Sequence, residues 1–332
     1  MVSLVLYVAD FPLDICPTGF GRIFEKGEKN IVANRQVVSV EGREITITNP
    51  EKPLYPAAGI SKWDYVLHLT RLAPYLLPHC RRRFLTTIRY PHGAGGDFFY
   101  QKNVPSHAPE WIATARDGSV TYILLEDTPT LVWLANLACL EFHLSFQRVD
   151  DPDHPPELVF DLDPSVEGFD RVMEVALLLR ELLNHLELDA WVKTSGATGL
   201  QLYIPLKGRL SFEQTRKVSR FIAQYLEEKH PHLITLERLK KNRGDKVYID
   251  YLQHWRGKSL IAPYSPRGRA QATVSTPLDW SELKPGLSPE QFTLPTIHRR
   301  LAEKKDLFRP LLSRENRFDL KPILAFVEKK RR

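Results

Sequence analysis

Asp161 and Asp163 flank Leu162 in the run Leu158-Val-Phe-Asp-Leu-Asp-Pro164. On a β-strand alternate residues share a face, so both carboxylates project together while Leu162 turns to the core. Two carboxylates side by side repel and desolvate poorly unless a cation stands between them. Hard oxygen donors of this kind suit Mg²⁺ or Mn²⁺, completed by substrate phosphates. An isolated D-x-D is also how a strand frays into an acidic surface turn, and Pro164 follows at once. Asp250 favours the first reading. It lies in the β-branched and aromatic run Val247-Tyr-Ile-Asp-Tyr251, between the basic clusters Lys240/Lys241/Arg243/Lys246 and Arg256/Lys258/Arg267/Arg269. An acid there is costly unless it is paired or bound to metal. Three carboxylates converging on two divalent ions serve phosphoryl and nucleotidyl transfer; the alternative for Asp250 is an ion pair to Arg243, Lys246 or Lys258.

Thr194-Ser-Gly-Ala-Thr-Gly199 can expose consecutive backbone amides and hydroxyls to an anion. Glycine-rich turns are common, and this one is neither a Walker A loop nor a dinucleotide fingerprint. Arg267 and Arg269 offer planar forks for a triphosphate. Phe98-Phe99, after Gly95-Gly96, reads either as a base-stacking pair or as core. His143 reads as a ligand contact or as a satisfied core histidine. His230 and His232 end a helical stretch without a third ligand and read as surface.

The elements that must position these groups follow from periodicity. From Leu158 onward the chain reads strand (Leu158–Leu162), amphipathic helix (Phe169–Leu188), two strands (Ala190–Lys193, Leu200–Pro205), a helix opened by a Ser211/Gln214 capping box and running to about Lys229, and a last strand (Lys246–Leu252). This is β-α-β-β-α-β, the split βαβ order of RNA-recognition-like folds. In that order the first and third strands lie centrally and the fourth at an edge beside the first, which brings Asp250 towards Asp161 and Asp163. Upstream, Val37–Val40 and Glu44–Thr48 form a hairpin about Glu41-Gly42. A helix capped by Ser61 and Asp64 is expected to end or kink at Pro74, and Leu131–Glu141 reads as a second helix. Residues 1–36, broken by Pro12, Pro17, Gly19 and Gly21, read as a flexible extension.

The chain has 332 residues, 43% apolar and 26% charged, with 46 basic against 40 acidic residues for a net charge of +6. That size builds a core without staples. Cys16, Cys80 and Cys139 are too few and too scattered for a disulfide scaffold or a C-x-x-C zinc site. No apolar run reaches membrane-spanning length, and Leu4–Val8 lacks the basic flank of a secretory signal. A cytoplasmic protein without membrane partners is expected.

Seven blocks in order resemble the polymerase domain of bacterial LigD, the end-joining branch of the archaeo-eukaryotic primase–polymerase superfamily, from Val37 to about Pro310. They are Asn49-Pro-Glu-Lys-Pro-Leu-Tyr-Pro56, Asp97-Phe-Phe-Tyr-Gln-Lys102, Leu140-Glu-Phe-His143, Val159-Phe-Asp-Leu-Asp-Pro164, Thr194-Ser-Gly-Ala-Thr-Gly-Leu-Gln201, Val247-Tyr-Ile-Asp-Tyr-Leu-Gln253 and Ile261-Ala-Pro-Tyr-Ser-Pro-Arg-Gly-Arg269. The resemblance implies an α/β (α+β) primase–polymerase fold, with the split βαβ core packed on an N-terminal α/β part. The expected organisation is a single catalytic domain over 37–310 (37–150 N-terminal part, 151–270 catalytic core, 271–310 closing segment), then a C-terminal helix and basic tail over 311–332.

It further implies Asp161, Asp163 and Asp250 as catalytic metal ligands for two Mn²⁺ or Mg²⁺ ions. His143, Ser195, Gly196, Gln201, Arg243, Gln253, Lys258 and Arg267 would hold the nucleotide. Lys52 and Lys62 would grip a 5′-phosphate at a gap or break, and Phe98 and Phe99 would stack at the templating position. The implied activity is template-dependent nucleotidyl transfer in non-homologous end joining, with ribonucleotides preferred and with Ku and a DNA ligase as partners. A primase that starts chains unaided and a non-catalytic end-binding or synapsis module are the alternatives. Two positions depart from the family loop Ser-Gly-x-Lys-Gly-Leu-His: Thr198 stands at the lysine, and Gln201 at the histidine as in Bacillus-type members. No ligase Lys-x-Asp-Gly motif and no phosphoesterase module is present, so a separately encoded ligase is expected.

Overall fold

The computed structural model describes residues 24–25, 34–313 and 315–330. Most of the expected extension over 1–36 therefore lies outside the described residues, as do Leu4–Val8. Strands β1 (Phe24–Glu25), β2 (Arg35–Val40) and β3 (Arg43–Thr48) form an antiparallel sheet. The β2–β3 turn falls on Glu41-Gly42, both at positive φ (48° and 77°), as a tight primed hairpin turn requires.

Strands β4 (Pro53–Tyr55) and β5 (Ile60–Ser61) pair before α1 (Lys62–Cys80). The cap of α1 is the one the sequence announces: the Ser61 hydroxyl accepts from Asp64 N, and the Asp64 carboxylate accepts from Ser61 N. The helix does not end at Pro74, one of the two outcomes expected there, and runs through Pro74 and Pro78. Its buried stripe, Leu69, Leu72, Ala73, Leu76, Leu77 and Cys80, continues past Pro74, and that packing outweighs the backbone bonds lost at the two prolines.

β6 (Arg83–Arg89), β7 (Phe99–Gln101), β8 (Thr114–Asp117), β9 (Val120–Ile123), α2 (Thr128–Asn136) and β10 (Cys139–Arg148) complete the N-terminal part. The helix expected over Leu131–Glu141 thus stops at Asn136, and Ala138 at φ 57° turns the chain into β10. Strand β10 is central and buried on both faces, so it lacks the alternation by which strands are read.

The second half contains β11 (Glu157–Pro164), α3 (Asp170–His185), β12 (Trp191–Thr194), β13 (Leu200–Pro205), α4 (Phe212–Lys229), β14 (Ile234–Thr235) and β15 (Val247–Ile249). Its six-stranded sheet runs β14-β15-β11-β13-β12-β17, where β17 is Pro277–Leu278. The four strands read from sequence adopt the split βαβ order, with one correction: the fourth, β15, is not at an edge, because β14 pairs parallel to its outer side. That strand is also shorter than expected. The Asp250 carboxylate accepts from Leu252 N and Gln253 N at 3.0 and 2.9 Å and turns the chain.

Strand β16 (Ser259–Ile261) crosses back to pair with β10, giving a second sheet β16-β10-β6-β7, so the 151–270 stretch contributes to both sheets. Among the described residues two large apolar cores result, with a small third cluster of Phe146, Val159, Phe212 and Leu260. The first joins α1, α2 and β10; the second joins α3, α4 and the apolar face of β11. The 271–310 stretch, which includes α5 (Leu294–Lys304), contributes to both cores, through Val274 and Ile297 in one and Leu278 and Phe292 in the other. Helix α6 (Lys321–Lys330) packs Leu324 into the second. Among the described residues no helix is long and apolar enough to cross a membrane.

Candidate active site

Leu158, Phe160 and Leu162 pack on α3 and α4, so β11 aims Asp161 and Asp163 at the opposite face, towards the N-terminal part. Asp250 joins them from the neighbouring strand: its amide donates to the Asp161 carbonyl at 2.8 Å, and Leu162 pairs with Ile249. Burial first, then Asp163 and Asp250, push the Asp161 carboxyl well above the ordinary range, against a hydrogen bond from Gln201 and the Lys193 charge. Asp163 is raised by burial and then by Asp250, with Arg243 and Lys240 opposing. Mutual repulsion of half-buried carboxylates is the electrostatic condition a divalent cation relieves.

Among the described residues no group of three or more His, Cys, Asp or Glu side chains, the three acids included, is drawn together as a metal-holding cluster. The acids form an open face instead, and the oxygen-only donor set fits Mg²⁺ or Mn²⁺ completed by substrate phosphates. Among the described residues no ion pair reaches Asp250, which excludes the salt-bridge alternative for it. Its Oδ1 accepts instead from the Tyr248 hydroxyl and two turn amides.

Asp161, Gln201 and Lys193 are register partners across β11, β13 and β12 and share one face. Gln201 donates from Nε2 to Asp161 Oδ1 at 3.0 Å. Lys193, a residue that could replace the lysine missing at 198, is fully buried. Its ammonium donates to Ser275 Oγ and the Thr194 carbonyl, and burial pushes its pKa well down. Lys193 therefore lies beneath the site and does not face a triphosphate.

The Thr194–Gly199 loop is built differently from the expected row of free amides. Ser195 Oγ accepts from Ala197 N and Gly199 N, and Gly196 N donates to Thr194 Oγ1. The hydroxyls thus hold the loop from within. Two glycines are obligatory. A Cβ on Gly196, already at φ +70°, would lie 2.8 Å from the Arg267 stem, and one on Gly199 would lie 2.4 Å from the Leu162 carbonyl. This close approach sets the loop, with Thr198 exposed at its tip, against the acid-bearing strand.

Arg267 packs on that loop and reaches Glu141, a residue missed by sequence reasoning. Glu141 is buried on β10, and its carboxylate meets Arg267 at 3.1 Å, His143 at 2.9 Å, the Tyr90 hydroxyl at 3.0 Å and Gly268 N at 3.0 Å. Burial would raise its pKa, but His143 and Arg267 hold it at about 2. Glu141 thus orients both His143 and Arg267. The alternation Glu141-x-His143 on a strand was the available signal, hidden because Glu141 was read as the last residue of a helix.

Gln253 and Lys258 secure the turn after Asp250: Gln253 Nε2 donates to the Ser259 carbonyl at 2.9 Å and Lys258 Nζ to the Leu252 carbonyl at 3.0 Å. Arg243 bonds the carbonyls of Glu237 and Arg238 and lies 3.9 Å from the Tyr248 ring centroid.

A second cluster stands on the N-terminal part. The Lys62 amide donates to the Lys52 carbonyl at 2.8 Å. Lys62 is 4% exposed, and its ammonium donates to the carbonyl of Asn136 at 2.9 Å. Burial, then the charges of Lys52 and Arg89, lowers its pKa to about 8. The α1 N-terminus does not add free amides here, because Trp63 N bonds the Pro50 carbonyl and Asp64 N the Ser61 hydroxyl. Arg89 also lies over the Phe99 ring, 5.2 Å from its centroid. Phe98, Phe99 and Tyr100 are 54%, 43% and 65% exposed, which settles the pair as surface aromatics and adds Tyr100. An open groove of about 540 Å³ runs along Phe99–Pro105.

The family model for the LigD primase-polymerase domain matches residues 61–308. The bifunctional non-homologous end joining protein LigD of Bacillus subtilis is 38% identical over 289 residues, 86% of this chain and 47% of that protein. The multifunctional non-homologous end joining protein LigD of Mycolicibacterium smegmatis is 37% identical over 276 residues, 80% of this chain and 36% of that one. The chain thus spans about half or less of these relatives. Among solved structures, the polymerase domain from Mycobacterium tuberculosis ligase D in complex with DNA aligns at a TM-score of 0.76 and 35% identity, covering 81% of this chain and 98% of that chain.

Proposed function

Because the chain belongs to the LigD primase–polymerase domain family, we propose that it is a template-dependent nucleotidyltransferase that fills gaps or extends ends at DNA double-strand breaks. The observation that carries this reading is the face shared by Asp161, Asp163 and Asp250, three mutually repelling carboxylates beside a glycine-anchored loop and a fixed arginine. In the reaction a primer 3′-hydroxyl attacks the nucleotide α-phosphate and pyrophosphate leaves. Two Mn²⁺ or Mg²⁺ ions bound to these acids would supply activation of the attacking oxygen and neutralisation of the leaving group.

The chain itself supplies preorganisation. Gln201 fixes the Asp161 carboxylate, and the turn amides fix Asp250. Glu141 holds His143 and Arg267 at the nucleotide side, so neither reorients during reaction. Lys52 and Lys62 bind a terminal 5′-phosphate, Phe98 and Phe99 stack near the templating base, and the exposed Tyr100 extends that platform. Ribonucleotides are the preferred substrate; Ku and a DNA ligase activity are the partners. Primer extension with each ribo- and deoxyribonucleotide, in Mn²⁺, in Mg²⁺ and after chelation, tests this. Metal-dependent addition is expected. No addition in either metal would leave the non-catalytic end-binding alternative.

Two outcomes follow locally. Thr198→Lys should lower the apparent nucleotide KM several-fold, since the exposed loop tip gains an ammonium and a charge-assisted contact is worth about 1.5–3 kcal/mol before solvent screening. Steady-state extension at varied nucleotide checks it, and an unchanged KM would mean that the tip does not face the triphosphate. The Lys62 pKa of about 8, below its ordinary 10.5, gives a pH signature. Below pH 8 the free protein carries the ammonium charge; above it that charge is lost unless a phosphate holds the proton. The preference for a 5′-phosphate over a 5′-hydroxyl end should therefore shrink between pH 7 and pH 9, as read by fluorescence titration of both duplexes. A constant ratio would remove Lys62 from the contact.

A further inference from the structure

Tyr90 stands directly after β6 and is 7% exposed. On one side its ring lies 5.3 Å from the Phe98 ring, centroid to centroid, with 31° between the planes. Phe98 in turn meets Tyr100 edge-on at 6.1 Å. Tyr90 is therefore the buried ring on which the exposed aromatic platform rests. On its other side the Tyr90 hydroxyl donates to Glu141 Oε1 at 3.0 Å. The same oxygen accepts from Gly268 N at 3.0 Å, while Oε2 faces His143 and Arg267.

The contact at Gly268 shows how closely the ring is wedged. A Cβ at 268 would lie 2.1 Å from Tyr90 Cζ and 2.4 Å from the hydroxyl oxygen. Only a residue without a side chain lets the backbone after Arg267 rest on the ring. Tyr90 is also held from behind: its amide donates to the Ala138 carbonyl at 2.9 Å, and its carbonyl accepts from Gly93 N at 2.9 Å. Burial first, then Glu141, push the phenol well above its ordinary pKa, so it stays a protonated donor. A donor to a carboxylate makes the stronger, charge-assisted kind of hydrogen bond.

We propose that Tyr90 is the positioning residue that sets the templating platform and the nucleotide contacts in register. Its ring backs Phe98, and its hydroxyl, through Glu141, fixes His143 and Arg267. This rests on the polymerase reading above and assigns part of its template discrimination to one buried side chain. Templated addition requires the templating base and the incoming nucleotide to meet in one geometry, and a misplacement of about 1 Å can slow chemistry about 10²-fold. Tyr90 touches the template side directly and the nucleotide side through one carboxylate.

The test separates hydroxyl from ring. Tyr90→Phe keeps the ring: the nucleotide KM should rise about threefold to tenfold, the loss of one buried hydrogen bond. Its kcat and its preference for the complementary nucleotide should stay near wild type. Tyr90→Leu also removes the support of Phe98, and that preference should fall about fivefold, the worth of one aromatic pair. A scaffold role alone would lower both properties together in both variants. An unchanged KM in Tyr90→Phe, or a Tyr90→Leu that discriminates like the wild type, would overturn the proposal. Should Tyr90→Leu fail to fold, Tyr90→Phe decides it. Calorimetric titration with ribonucleotide and Mn²⁺ repeats the affinity comparison without turnover. A wild type that binds nucleotide tenfold better than Tyr90→Phe but extends no primer would sink the polymerase reading and support the Tyr90–Glu141 link. A wild type that extends primers while Tyr90→Phe binds nucleotide equally well would sink the Tyr90 assignment alone, and a wild type that binds no nucleotide would sink both.

Discussion

Asp163→Asn or Asp250→Asn reduces nucleotide incorporation by roughly 10³-fold or more, the upper range for removing a preorganised electrostatic partner of a transition state, while DNA binding stays near wild type. The separation follows from geography. The acids lie on the β11–β15 face, whereas the groups suited to phosphates are Lys52, Lys62 and Arg89 on the N-terminal part. Removing a negative charge from a basic protein does not weaken a polyanion's attachment. The raised carboxyl pKa of Asp163 adds a control: without metal, either variant should be at least as stable as wild type, because the substitution removes a repulsion already present. Extension, gel shift and thermal unfolding of the same preparations measure all three. Substantial turnover in the Asn variants would sink the assignment of the acids.

The second large effect concerns the DNA end. Wild type should bind a gapped duplex bearing a 5′-phosphate about tenfold or more tightly than its hydroxyl counterpart, given that charge-assisted hydrogen bonds contribute about 1.5–3 kcal/mol each. Lys52→Ala combined with Lys62→Met should erase that preference; methionine keeps the buried stem of Lys62, whose loss as alanine would open a hole beside Asn136. The logarithmic salt slope should fall by roughly one to two as fewer counterions are released. Titrations at several salt concentrations read both. A wild type indifferent to the end group would leave a generic primase-like polymerase.

Most of the catalytic sheet was legible from short apolar or β-branched runs between helices of clear period, one of them capped: Ser211 with Gln214 opens α4 where expected, and Leu200–Pro205 is strand to the residue. The family read from seven short blocks is the one whose model matches the chain. Misreadings arose where local signals were overridden or absent. The helix read over Leu131–Glu141 ran into the first three residues of β10, which is buried on both faces and shows no alternation, and packing carried α1 past Pro74 rather than ending it there. Hydrogen-bond partners are the least legible layer. Nothing in Thr194–Gly199 reveals that Ser195 consumes its own loop amides, or in Lys193 that its ammonium is buried under the site. The buried Lys193 depends on Ser275, 82 positions away, and the Gly196 carbonyl of the loop accepts from Thr273, 77 positions away.

The central claim is templated nucleotidyl transfer at a broken end. Single-turnover extension into a one-nucleotide gap with a 5′-phosphate, repeated for each of the four templating bases and all four ribonucleotides in Mn²⁺, addresses it most directly. The account predicts that the complementary nucleotide is added fastest at every templating base, and more slowly when the 5′ end carries a hydroxyl. Addition that ignores the templating base, or no addition at all, would contradict it.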